Sequence, residues 1–194
     1  MNAILGFSQL LQMQALPAQQ LDAVNEIRSA GQHLLSLIDD LLDLTRIEAG
    51  KLAVVAVPVD LAAVVDEALR IVQPMLAVNR LRLVNGAPAG LAVQGDPVRL
   101  RQVLVNLLSN AAKYNREGGE VAVDVTQPDR QRVRLRVSDT GVGIAPERMG
   151  RLFQTFERLG AEHSGVEGSG IGLALSQQLA ELMGGTLGVA SRLG

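Results

Sequence analysis

The sequence predicts an α+β protein: a two-layer α/β sandwich preceded by an antiparallel helical hairpin. Three observations predict it. A seven-residue apolar repeat runs from Gln20 to about Glu48 and stops at Ala49-Gly50. Helical periodicity then alternates with short β-branched runs. Two segments of strict apolar alternation, 120–126 and 131–138, flank a turn sequence. The expected organisation is therefore a hairpin over 1–50 and a sandwich over 51–194.

Each element has its own signal. Ile4, Leu5, Leu10 and Leu11 lie at helical spacing, and Pro17 breaks the connection Ala15–Gln19. From Gln20 to Glu48, Ile27, Leu34 and Leu41 recur every seven residues, as do Val24, Gly31, Ile38 and Thr45. Glu26, His33 and Asp40 share that period on a polar stripe. A hairpin with one apolar face cannot bury that face alone, so a second copy completing a four-helix bundle is expected. The run Leu52–Val59 is β-branched, and residues 60–76 return to helical spacing. Leu81–Asn85 and Leu91–Gln94 read as short strands. Asp96 is a good N-cap with Pro97 at the first helical position. Glu120–Thr126 and Gln131–Ser138 read as a hairpin around the turn sequence QPDR. Residues 171–183 read as a helix, and Thr186–Ala190 as the start of a strand.

Composition excludes several classes. The 194 residues carry 18 basic and 20 acidic side chains, a net charge of −2, which argues against a nucleic-acid or polybasic membrane surface. There is no cysteine, so disulfides and thiolate metal sites are out. The longest apolar run, Leu52–Val59, is too short to span a bilayer, and no secretory signal is visible. A cytoplasmic location without membrane contact is expected for this segment, with an anchor elsewhere in a longer parent left open.

Three stretches carry chemistry. In NLLSNAAKY, Asn106, Asn110 and Lys113 fall on one stripe of a helix whose other positions suit a core. A buried amide needs a hydrogen-bond partner, or it costs about 1–3 kcal/mol. Either protein groups or a ligand must satisfy these amides. In Asp139-Thr140-Gly141-Val142-Gly143, a carboxylate at a strand end precedes two glycines. An ordinary turn would explain it; so would a carboxylate reading an exocyclic amine beside a backbone that a ring can approach. The Phe153-Gln154-Thr155-Phe156 pair reads as core anchoring. Residues Gly160–Ser169 are polar and Gly-rich and have little to bury, so mobility is expected there. They lead into Gly168-Ser169-Gly170-Ile171-Gly172-Leu173, where a glycine-rich helix start exposes backbone N–H groups that favour a phosphate. A flexible hinge is the plainer explanation for that segment alone.

Taken together, the stretches resemble the ATP-binding domain of sensor histidine kinases, within the Bergerat-fold ATPase group. NLLSNAAKY is similar to that family's N box, DTGVGI to its G1 box, FQTF to its F box and GSGIGLAL to its G2 box, in the same order. LLDLTRIEAGKL resembles the second helix of the family's dimerisation and histidine-phosphotransfer hairpin. The resemblance implies a mixed sheet with helices on one face. It implies ATP and Mg²⁺ as cofactors, with Asn110 as the metal ligand and Asn106 one turn earlier in the same pocket. Lys113 would meet phosphate charge and Tyr114 would lie near the adenine. Asp139 would read the adenine amine, with Gly141 and Gly143 shaping that wall. Gly168, Gly170 and Gly172, with Ser169 and Leu173, would close over the phosphates.

The group also contains hydrolases in which, by the resemblance, a glutamate four residues before the metal asparagine activates water. Here that position is Asn106, and an amide is no general base at neutral pH. Transfer of the ATP γ-phosphoryl group to a histidine is therefore expected, followed by relay to an aspartate of a response-regulator receiver domain. In the family the acceptor histidine sits in a motif resembling H-E-L-R-T-P-L-N. Met1–Phe7 matches the residues just after that motif, which puts the acceptor about one to two turns upstream. The chain alone is thus expected not to autophosphorylate, and its last family strand is expected to be missing. His33 reads as a solvated helix residue and His163 as a polar loop residue. Partners are expected to be a receiver domain and a second copy through the hairpin, weakened by the shortened first helix. The competing readings are a nucleotide-responsive dimerisation module without kinase function, an anti-sigma-type serine kinase, and a relative that has lost binding.

Overall fold

The computed structural model of the chain describes residues 1–157 and 168–193. It divides into two compact units, Met1–Leu52 and Ala53–Gly194.

The first unit is the expected hairpin of α1 (Asn2–Gln12) and α2 (Ala18–Glu48), with Pro17 at the N-cap of α2. Gly31 lets the helices approach closely: a Cβ there would lie 3.0 Å from Leu5 Cδ2. Val24 and Leu44 are buried, and Ser8 Oγ donates to the Ile4 carbonyl at 2.8 Å. Most of the apolar repeat stays open, including Phe7, Ile27, Leu34, Ile38 and Leu41.

The second unit contains β1 (Val57–Asp60), α3 (Leu61–Val78), β2 (Arg82–Gly86), β3 (Ala92–Gly95), α4 (Pro97–Lys113), β4 (Glu120–Asp129), β5 (Arg132–Asp139), α5 (Pro146–Met149) and α6 (Gly172–Leu182). Only the end of the Leu52–Val59 run joins a strand. β1 pairs antiparallel with β3. The mixed sheet has the order β2-β4-β5, with β2 parallel and β5 antiparallel to β4. Alternation along β4 buries Val121, Val123 and Val125, and the first two join the core formed with α3 and α4. The core joins Val65, Ala68 and Val72 of α3 to Leu104, Leu108 and Ala112 of α4. The other sheet face is open, with Arg134 and Arg136 exposed.

Asp96 caps α4 as its sequence position predicts, Oδ1 accepting from Val98 N–H (2.9 Å) and Arg99 N–H (3.2 Å). Pro97 follows at the first helical position.

Two expectations are corrected. Thr186–Ala190 forms no strand, because a strand exists only through a ladder partner and this segment pairs with none among the described residues. Its neighbourhood is held instead by a side chain: Ile144 N–H donates to Ser191 Oγ at 2.9 Å. Phe156 does not anchor the core either, being 66% exposed. Its backbone is left-handed (φ 67°) and its N–H is spent on the Gly170 carbonyl (2.9 Å). Phe153 is half-buried. Residues 160–167 of the stretch expected to be mobile, His163 among them, lie outside the described residues.

Candidate functional site

The C-terminal half of α4 is the base of the site. Its core face, Leu104, Leu108, Ala111 and Ala112, is fixed against the sheet and α3. That fixes the direction of the polar stripe, because residues at i and i+4 share a face. The two amides then behave differently. Asn106 Nδ2 donates to Ser176 Oγ of α6 at 2.8 Å, and Ser176 is almost fully buried. A Cβ on Gly172 would fall inside contact distance of Asn106 Oδ1, so any larger residue there would displace the Asn106 amide. Asn110 is half-buried, and its side chain has no hydrogen-bond partner among the described residues. The Nδ2 of the first amide is therefore taken by a protein group, and the second amide has no partner among the described residues.

Tyr114, the C-cap of α4, connects the base to the loop after β5. Its carbonyl accepts from Val142 N–H at 3.2 Å, and a Cβ on Gly141 would collide with that carbonyl. Its hydroxyl lies 3.8 Å from where a Cβ on Gly168 would be. Lys113 and Leu173 are half-buried. Asp139 ends β5 exposed, with Oδ1 taking Gly141 N–H at 2.9 Å and Oδ2 open. Gly143 (φ 71°) packs against the Arg192 carbonyl.

The third wall is 168–173. Ser169 Oγ accepts from Ile171 N–H at 3.2 Å, and Gly170 bonds Phe156 as described. Among the described residues no side chain caps α6, which leaves its first N–H groups for another acceptor. An anion would be favoured there. The structure thus brings Asn106 and Asn110, Tyr114 with Gly141, and 168–172 around one end of α4. It places Asp139 at the rim through the Gly141 turn. An open groove of about 710 Å³ along α3 and β2, lined by Asp66, Arg70 and Leu83, lies apart from these residues.

Sequence reasoning missed two supports. Ser176 is the partner of Asn106, and its only signal is a lone hydroxyl inside the apolar run of α6. Thr140 Oγ1 accepts from Glu120 N–H (2.8 Å) and donates to Asn115 Oδ1 (3.2 Å), while Asn115 Nδ2 reaches the Glu120 carbonyl (3.0 Å). That network ties the loop after β5 to the chain leaving α4. Among the described residues no cluster of His, Cys, Asp or Glu could hold a metal, and no helix is long and apolar enough to cross a membrane.

The fold and this convergence are those of an α/β unit built to hold a nucleotide. The chain belongs to the histidine kinase-, DNA gyrase B- and HSP90-like ATPase family, whose model matches residues 95–194. The model of the His Kinase A (phospho-acceptor) domain matches residues 1–50. The sensor protein GacS of Pseudomonas syringae pv. syringae is 39% identical over 200 residues, covering 100% of this chain and 22% of the relative. The circadian input-output histidine kinase CikA of Synechococcus elongatus is 36% identical over 201 residues, with 100% and 26% covered. Among solved structures, full-length ShkA in complex with AMPPNP aligns with a TM-score of 0.79 at 33% identity, covering 100% of this chain and 40% of that one. The mycobacterial sensor histidine kinase MprB aligns at 0.60 and 32%, covering 67% and 81%. The chain thus spans about a quarter or less of these two curated relatives. Its α/β unit carries the match to the ATPase family, and its hairpin the match to the His Kinase A (phospho-acceptor) domain.

Proposed function

We propose that residues 53–194 bind Mg-ATP and present its γ-phosphate to a histidine, and that residues 1–50 belong to the hairpin that carries such a histidine and pairs with a second copy. The observation that carries this reading is the division of labour between the asparagines. Asn106 is spent on Ser176, while Asn110, one turn on, has an unclaimed amide in the same wall. An amide oxygen fits Mg²⁺, a hard ion that takes oxygen ligands and keeps several waters beside phosphates. When bound, the ion neutralises phosphate charge.

The chain's own residues do the rest. Asp139 Oδ2 accepts from the adenine amine, while the Gly141 turn holds the carboxylate in place. Gly141 and Tyr114 form the wall beside the ring. The open N–H groups at the start of α6, with Lys113, face the phosphates. In the transfer, the γ-phosphorus leaves its β–γ bridging oxygen and bonds an imidazole nitrogen of the acceptor. Positioning and charge neutralisation supply most of the rate. No general base stands at position 106, so water is not activated there. Relay to a receiver-domain aspartate and a cytoplasmic setting are part of the same proposal; AMPPNP in the ShkA structure and the phospho-acceptor match support it.

The test is a transfer assay with γ-labelled ATP, with and without an added helical hairpin bearing the family's histidine motif. Label is expected on the added histidine only, as an acid-labile, alkali-stable phosphate. Acid-stable label on this chain would favour the serine-kinase reading, and rapid release of free phosphate would favour a hydrolase.

A further inference from the structure

The connector between the two units is tied at both ends. On the hairpin side, Lys51 and Leu52 N–H both reach the Arg46 carbonyl (2.8 and 3.2 Å), with Gly50 left-handed at φ 63°. This closes the end of α2 through Leu52. On the α/β side, Val55 N–H donates to Asp96 Oδ2 at 3.1 Å. Ala53 and Val54, between the ties, make no hydrogen bond among the described residues. The division into compact units falls between Leu52 and Ala53.

The way Asp96 is used is informative. Capping α4 needs one oxygen, and Oδ1 accepts both cap N–H groups. Serine or asparagine would cap as well. Only a carboxylate has a second acceptor to spare, and that is what Val55 takes. Val55 itself is 63% exposed, so packing does not hold it there. Asp96 is only 9% exposed, which shields the bond from water.

We propose that the Asp96 carboxylate is a latch: its second oxygen holds the incoming connector to the start of α4 and confines swivelling of the connector to Ala53 and Val54. Motion reaching the connector is then delivered directly to α4, the helix that carries Asn106 and Asn110. Asp96 is thus a positioning residue that touches no reacting atom. The inference does not depend on nucleotide binding, and its test contains no nucleotide, so the two readings fail separately.

The experiment is residue-resolved amide exchange on the whole chain, with Asp96→Asn and Asp96→Ser, which keep a cap and lose one acceptor. In the unmodified chain Val55 is expected to exchange roughly tenfold more slowly than Ala53 and Val54. In both variants that protection should vanish while Leu108 stays protected. Spin labels at Gln19→Cys and Arg130→Cys, unique because the chain has no cysteine, should give a broader distance distribution in the variants. Should a variant lose Leu108 protection as well, the unmodified chain decides alone. Val55 exchanging as fast as Val54 there would overturn the latch. So would variants with unchanged Val55 protection and an unchanged label distribution.

Discussion

The two units of this chain spend similar aliphatic side chains in opposite ways. In the α/β unit, Val65, Val72, Leu108, Val121 and Val123 are fully buried against one another. In the hairpin, Phe7, Ile27, Leu34 and Leu41 keep between 43% and 68% of their surface exposed. Neither hydrophobicity nor periodicity separates the two groups; what differs is whether the same chain supplies the opposing face. Three elements, α3, α4 and β4, cover one another in the second unit. In the hairpin two helices leave these side chains about half open, so each forgoes half of the roughly 1.5–3 kcal/mol that full burial gives. The α/β unit covers its own core, whereas the hairpin leaves an apolar seam exposed.

The sharpest way to break this comparison is truncation on both sides of it. Leu108→Ala should cost about 2–5 kcal/mol in denaturant unfolding of the α/β unit. Leu34→Ala should change the stability of an isolated chain by less than about 0.5 kcal/mol, since the side chain is exposed. Its effect should show in sedimentation as weaker self-association. Equal losses at the two positions would mean that the hairpin seam is already covered.

The second contrast lies inside the site. Asn106→Ala leaves the buried Ser176 hydroxyl without its partner, so a loss of about 1–3 kcal/mol is expected by thermal unfolding. Asn110→Ala should lie within about 0.5 kcal/mol of the parent, because no protein group loses a bond. If Asn110→Ala proves the more damaging to stability, the two asparagines have been assigned the wrong way round.

The smallest effects concern pH, and they run in opposite directions in the two units. Burial alone would raise the Asp96 pKa, but the Val55, Arg99 and Val98 N–H groups and the Arg99 charge outweigh it and hold the carboxyl low. A lowered folded pKa contributes stability above the unfolded value of about 3.9, lost as pH falls through the folded value. Asp40 is raised, by burial first and then by Asp43 and Asp39. Its folded form favours the proton, so it costs stability once pH rises above the unfolded value. Asp40→Asn should therefore stabilise the hairpin at pH 7 and do nothing at pH 3. Asp96→Asn should destabilise the α/β unit at pH 7 and converge with the parent in acid. Circular dichroism melts across pH 3–7 would read both.

Much of this was legible in the sequence because the signals are local. The seven-residue repeat, the Asp96-Pro97 start of α4 and the alternation of β4 and β5 are each contained within a few turns or residues. What stayed hidden depends on distant partners. Nothing near Asn106 separates it from Asn110, because its partner Ser176 lies 70 residues away. Phe156 reads as core, but its backbone is left-handed, its N–H is bonded to the Gly170 carbonyl and its ring is exposed. Thr186–Ala190 alternates like a strand, but alternation cannot supply a ladder neighbour. The second oxygen of Asp96 was equally invisible, since a cap signal is satisfied by one.

Asn110, whose side chain has no hydrogen-bond partner among the described residues, is proposed to hold the metal of a bound nucleotide. Calorimetric titration with a non-hydrolysable ATP analogue, with and without Mg²⁺, tests it most directly on the whole chain and on Asn110→Ala. Binding that Mg²⁺ strengthens in the parent, and no longer strengthens in the variant, is the expected result. Equal Mg²⁺ dependence in both proteins, or no binding by the parent at all, would contradict it.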